Sequence, residues 1–193
     1  FTADDGSAVT IKVEAVTATG YAGNAVYCNW WKDGAKTKNQ LLGDAIYPII
    51  LEDGNFSAST ASPMGLRFTI SGLAEGVHSL CAYHNNTDGK TAPGYPKVKV
   101  LVDGVTVAEG VEQTIRQESN SLSGMSYIQF NAVKDRDVIV EYVSTPKAGT
   151  EYINNYVAVN ALIFDRPNPK TTASDPYPAN TDMHACAVDA PDD

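Results

Sequence analysis

Leu66-Arg67-Phe68-Thr69-Ile70-Ser71-Gly72-Leu73-Ala74-Glu75-Gly76-Val77-His78-Ser79-Leu80 decides the fold. Leu66, Phe68 and Ile70 alternate with Arg67, Thr69 and Ser71, a period of two that puts apolar side chains on one face of a half-buried strand. Gly72 to Gly76 then break the run with turn residues, and a second strand follows from Val77 to Tyr83. The stretch therefore reads as a strand, a short turn and a strand.

The same period recurs on both sides of this stretch. Upstream, Val9-Thr10-Ile11-Lys12-Val13-Glu14-Ala15-Val16 alternates cleanly. Downstream come Lys97-Val98-Lys99-Val100-Leu101-Val102, Ser126-Tyr127-Ile128-Gln129-Phe130-Asn131-Ala132 and Asp137-Val138-Ile139-Val140-Glu141-Tyr142-Val143. The last strong strand is Val157-Ala158-Val159-Asn160-Ala161-Leu162-Ile163-Phe164. Val102-Asp103-Gly104-Val105 reads as a two-residue type I′ hairpin turn. Residues 111–117 show no sustained 3.6 period and read as strand or turn. Nine or ten short strands without a long helix predict an all-β fold, an antiparallel β-sandwich of the galactose-binding or jelly-roll kind.

Composition agrees with one globular unit. The chain has 193 residues, 43% hydrophobic and 19% charged, enough for one sizeable core. The net charge of −9 repels phosphate backbones and anionic lipid, so no nucleic-acid partner is expected. No run approaches the roughly 18 apolar residues of a membrane span, so no membrane insertion is expected. After Phe164, two pairs of prolines (Pro167 and Pro169, Pro176 and Pro178) cannot sit in a sheet interior and predict an extended C-terminal linker. The expected organisation is a sandwich over residues 1–165 and a Pro-rich linker over 166–193.

The cysteines number three, at positions 28, 81 and 186, and fit neither a zinc pattern nor a CxxC pair. They read as small buried hydrophobes, with a Cys28–Cys81 disulfide open to a secreted protein.

Catalytic patterns are weak. His78, His84 and His184 lack metal spacing, and there is no G-x-S-x-G elbow. Asp53, Asp88, Asp103 and Asp165 fall at turns or strand ends, where solvation explains them, and no pair of carboxylates stands out as a glycosidase would need.

Features suited to sugar are better represented. An aromatic ring packs on the C–H face of a sugar while amides and carboxylates pair with its hydroxyls. Tyr27, Trp30 and Trp31 lie within five residues, beside Asn29 and Lys32, in a loop or at a strand end. Tyr83-His84-Asn85 reads as the start of a loop after a strand, offering one ring and planar hydrogen-bonding groups. Asn154-Asn155 lies just before the closing strand, and Tyr95 is a further rim aromatic. The expected ligand residues are Trp30, Trp31, Tyr83, His84, Asn85 and Asn155. Each also has a purely structural explanation: a core tryptophan, or a turn chosen for its backbone geometry.

Four elements, in order across residues 66–164, carry a resemblance. The Ser71-Gly72-Leu73-Ala74-Glu75-Gly76 hairpin, Tyr83-His84-Asn85, Val98-Lys99-Val100-Leu101-Val102-Asp103-Gly104 and Val159-Asn160-Ala161-Leu162-Ile163-Phe164 together resemble malectin-like domains and bacterial carbohydrate-binding sandwiches. Ile163 stands where that family usually has Glu. The resemblance implies a non-catalytic module that binds an oligosaccharide or polysaccharide, in an extracellular, periplasmic or cell-surface setting. Related modules hold a structural calcium ion in a strand-end loop, but no EF-hand-like loop occurs here, so no cofactor is expected. Ser174-Asp175-Pro176-Tyr177-Pro178-Ala179 resembles the opening of an immunoglobulin-like repeat, which implies a neighbouring domain of the same chain. The expected molecule is monomeric. Its rivals are a structural spacer or protein-interaction domain, and an uncharacterised polysaccharide lyase or glycoside hydrolase.

Overall fold

The computed structural model describes residues 8–17, 24–30, 40–52, 55–57, 64–87, 94–145, 155 and 157–166. The hairpin strands are β5 (Met64–Ser71) and β6 (Gly76–Asn86). They do not pair with each other. Each joins a different sheet, and the Gly72–Gly76 turn crosses between layers. A sheet of five strands has the order β1 (Thr10–Thr17), β5, β11 (Val138–Thr145), β7 (Lys97–Val102), β8 (Val105–Val111). The facing sheet places β6 between β10 (Gly124–Ala132) and β12 (Leu162–Phe164), with two-residue β9 (Thr114–Ile115) running parallel to the end of β6. A third ladder, β2 (Asn24–Trp30), β3 (Asp44–Glu52) and β4 (Asn55–Ser57), continues this second layer. Its link is a bridge from Ile46 to Val159, with Ile46 N donating to Val159 O at 2.9 Å and Val159 N to Ile46 O at 3.1 Å.

The two layers enclose one main core. Leu66, Phe68 and Ile70 of β5, Val98 and Val100 of β7, and Val138, Val140 and Tyr142 of β11 meet Leu80 and Ala82 of β6 and Ile128, Phe130 and Ala132 of β10. Phe68 and Tyr142 pack edge to face at 5.6 Å between centroids. The expected antiparallel β-sandwich is the observed fold. Both central residues of the β7–β8 hairpin have positive φ, 47° at Asp103 and 79° at Gly104, as a type I′ turn requires. At the outer edge of the five-stranded sheet, β8 meets β7 with register shifts on either side of Val100.

Strand β6 is buried on both faces. Leu80 and Ala82 face the main core, while Cys81 and Tyr83 enter a separate cluster with Leu42, Met125, Ala161 and Ile163. Leu42 belongs to the short helix α1 (Gln40–Gly43), which precedes β3 and covers the outer side of the second sheet.

Two sequence readings are corrected, and one question left open by the sequence is answered. Tyr83-His84-Asn85 is not a loop: β6 runs on to Asn86. The segment 157–164 is not one strand, because it bridges to β3 at Val159 and then changes partner to β6, pairing fully only over Leu162–Phe164. Cys28 and Cys81 are not joined; both are thiols. Cys28 packs toward the main core and Cys81 sits in the outer cluster, so they belong to different packing layers. Burial, with the nearby Asp44 carboxylate, pushes the Cys28 thiol up. The expected linker over 166–193 lies outside the described residues beyond Arg166, as does Cys186.

Candidate functional site

One end of the sandwich gathers the ends of eight strands. The ladders place Met64 beside Thr17, Lys97 beside Thr145, Val98 beside Val111, Gly124 beside His84, and Thr114 beside Asn85. Connections distant in sequence therefore share this end.

Beneath them lies an amide framework, buried at Asn85 and half-buried at Gln113 and Asn160. Asn85, 0% exposed, donates through Nδ2 to Leu42 O and Gln117 O, each at 3.1 Å. Its Oδ1 accepts from Gln117 N at 2.9 Å and Thr114 Oγ1 at 3.1 Å. Asn160 Oδ1 accepts from Asn85 N at 2.6 Å, and Asn160 Nδ2 donates to Asp44 O at 2.7 Å and Asn85 O at 2.9 Å. Gln113 Nε2 donates to Pro96 O at 2.7 Å, while its Oε1 accepts from Ala158 N at 2.8 Å. Tyr47 OH accepts from Thr87 N at 2.8 Å, and Arg116 Nε donates to Thr87 O at 2.8 Å. These side chains satisfy backbone groups and tie residues 113–117 and 158–160 to β3 and the end of β6.

His84 resembles catalytic machinery and is not. Its Nε2 lies 3.0 Å from Ser126 Oγ and its Nδ1 2.8 Å from Ala158 O, the order of nucleophile, base and orienting group found in hydrolases. His84 is 0% and Ser126 3% exposed, with the Tyr142 ring 5.2 Å away. No substrate reaches a hydroxyl sealed under that ring. The pair holds β6, β10 and the residues before β12 together, and burial keeps the Tyr142 phenol protonated.

The expected ligand residues fall into three groups. Tyr83, His84 and Asn85 are interior, 1%, 0% and 0% exposed, and present no face to solvent. Trp30 ends β2, paired with Asp44, so the strand-end placement holds. Its side chain, like all of Trp31, lies outside the described residues. Asn155 is half-buried, and its carbonyl accepts from Ser144 Oγ at 2.7 Å, beside the start of β5. Tyr95 is not a rim aromatic: it is 8% exposed and packs with Ala45, Tyr47, Met64 and Ala158. Helix α1 joins the region after Trp30 to Asn85 through Leu42 O, whereas Asn155 stands apart on the five-stranded sheet. Sequence reading missed Asn160, Gln113 and Thr114, whose partners lie too far along the chain to leave a spacing signal.

The opposite end carries an open groove of about 510 Å³ between the β5–β6 turn, residues 72–75, and the β10–β11 turn, residues 134–137. Glu75, Asp135 and Asp137 alternate around it with Lys134 and Arg136, so no single charge sign dominates. Among the described residues, no three His, Cys, Asp or Glu side chains lie close enough to hold a metal ion. Among them too, no helix is long and apolar enough to cross a membrane.

No family model matches the chain, and no curated protein matches it. Among solved structures, it is similar to a family 35 carbohydrate-binding module from Clostridium thermocellum, at 12% identity and a TM-score of 0.40, over 78% of this chain and 96% of that one. It is also similar to the enzymatically active domain of tailspike protein 4 from bacteriophage CBA120, at 9% identity and a TM-score of 0.36, over 80% of this chain and 19% of that one. A third similarity is to the GH31 alpha-xylosidase from Xanthomonas citri, at 15% identity and a TM-score of 0.33, over 87% of this chain and 16% of that one. The chain thus spans less than a fifth of the two larger proteins. Overlaps this loose do not establish a shared activity.

Proposed function

We propose that the chain is a non-catalytic carbohydrate-binding module, part of a secreted or surface-attached multimodular protein that captures or degrades glycans. The observation that carries this reading is the amide framework of Asn85, Asn160 and Gln113. Its amides hold backbone of β3, β6 and residues 113–117 and 158–160, so the described part of that end is braced. A braced floor suits recognition, because little ordering entropy is lost there on binding. Among the described residues, the arrangement that mimics catalysis, Ser126 with His84, is buried. This reading assigns the stacking on a sugar ring to Trp30, at the end of β2, and to Trp31, which follows it in the sequence.

Affinity electrophoresis on soluble polysaccharides, backed by a glycan array, tests the reading. Retention on at least one glycan is expected, and it is lost in Trp30→Ala or Trp31→Ala while the thermal midpoint holds. No retention on any glycan by the folded wild type refutes sugar binding.

A further inference from the structure

His78 stands at the end of the sandwich opposite the amide framework, at the start of β6. Both of its ring nitrogens face acceptors. Nδ1 lies 2.9 Å from Asp165 Oδ2, and Nε2 lies 2.8 Å from the carbonyl oxygen of Ala74. A neutral imidazole carries one N–H, and only the imidazolium donates from both nitrogens. In either neutral tautomer, one of the two short contacts sets a ring lone pair against an oxygen lone pair.

The partners come from separate parts of the chain. Ala74 belongs to the β5–β6 turn, and Asp165 follows β12, the closing strand of the second sheet. Asp165 is held in place: its N donates to Ser79 O at 2.9 Å, its Oδ1 accepts from Ser79 N at 3.0 Å, and its φ is +54°. Ser79 Oγ donates to Arg166 O at 3.0 Å. Phe130 of β10 lies flat beside the ring, 6.1 Å between centroids and 28° from parallel. The His78 side chain is only 12% exposed, against 54% for Asp165.

We infer that His78 is a proton-dependent clasp: as the imidazolium it fastens the end of β12 to the β5–β6 turn, and loss of one ring proton releases one side of the fastening. The ionisable groups around it are few. Glu75 is the ionisable side chain of the turn, and Lys134, Asp135, Arg136 and Asp137 line the far wall of the groove that Ala74 shares. Asp165 and Arg166 follow β12, while β10 presents the uncharged Phe130. The charge that acts on the ring is Asp165. Burial opposes the charged ring, but the hydrogen bonds to Ala74 O and Asp165 and the Asp165 charge outweigh it, so the His78 pKa is raised. The sign follows from linkage: a raised folded pKa adds stability that is fully present below the unfolded value of about 6.5 and is lost as pH rises through the folded pKa.

Ring nitrogen NMR on the intact chain tests the clasp, with His78→Gln identifying the signal. Two ring N–H groups are expected below the titration midpoint, and that midpoint lies above that of an ordinary histidine. Asp165→Asn moves the midpoint down. Amide exchange at Ser79 and Asp165, corrected for intrinsic base catalysis, quickens as pH passes the midpoint in the wild type. A midpoint at or below the ordinary value, or an unmoved midpoint in Asp165→Asn, overturns the clasp. Should His78→Gln fail to fold, the near-isosteric Asp165→Asn decides alone.

Discussion

Replacing Asn85 by alanine tests whether the floor of the loop-bearing end is rigid. The side chain is 0% exposed and makes four hydrogen bonds, with Leu42 O, Gln117 O, Gln117 N and Thr114 Oγ1. A typical intramolecular bond is worth about 1 kcal/mol net, and a buried group left unpaired costs about 1–3 kcal/mol. Water that enters the space of the lost amide recovers part of that cost. A loss of about 3–5 kcal/mol is expected, a large share of the roughly 5–15 kcal/mol that holds a typical domain together. Urea unfolding at 25 °C, followed by circular dichroism, reads it as a lower midpoint at constant m-value. Asn85→Asp is the control. It keeps an acceptor for Gln117 N and Thr114 Oγ1 but turns a buried carboxylate toward the carbonyls of Leu42 and Gln117, so it should cost at least as much as alanine. A loss below about 1 kcal/mol in Asn85→Ala would show that these bonds exchange freely with water, and the argument for a braced floor would fail.

Two further substitutions probe the opposing sheet. Gly65→Ala would place a Cβ 2.5 Å from the Tyr142 carbonyl oxygen, forcing β5 away from β11; a thermal midpoint lowered by several degrees is expected, and an unchanged midpoint would refute the close approach. Glu141→Gln removes the partner of Arg67, which donates from Nε at 2.9 Å and pairs at 2.8 Å, but Arg67 is 42% exposed, so a loss under about 1 kcal/mol is expected by urea unfolding, and one above about 2 kcal/mol would contradict it.

The fold was legible wherever side chains alternate. Leu66, Phe68 and Ile70 in β5, and Val138, Val140 and Tyr142 in β11, announce their faces because each strand has one wet side and one dry side. Strand β6 breaks the rule past Leu80. His84 and Asn85 look like turn residues, yet they lie in a strand covered on both sides, where polar side chains persist because backbone groups elsewhere need them. The closing segment misleads in the opposite direction. Its apolar run from Val157 to Phe164 suggests one strand, but burial on two sides is also what a segment needs to switch partners between β3 and β6. The His78–Asp165 contact spans 87 residues, so Asp165 could only read as a solvated strand end. What stayed hidden in each case is a partner chosen by the tertiary fold.

The irregular β8 edge bears on solubility. A straight outer strand with Val105 and Val107 exposed, 66% and 44%, would be a template for another chain to add onto. The register shifts against β7 and the left-handed Gly110, at φ +70°, break the run of evenly spaced backbone donors and acceptors. The opposite edge, β1, lies against β2 and β3 of the second layer. Two copies meeting along β8 therefore find no long ladder in common, and the sheet is guarded against growth into a polymer at the place where its valines most invite it.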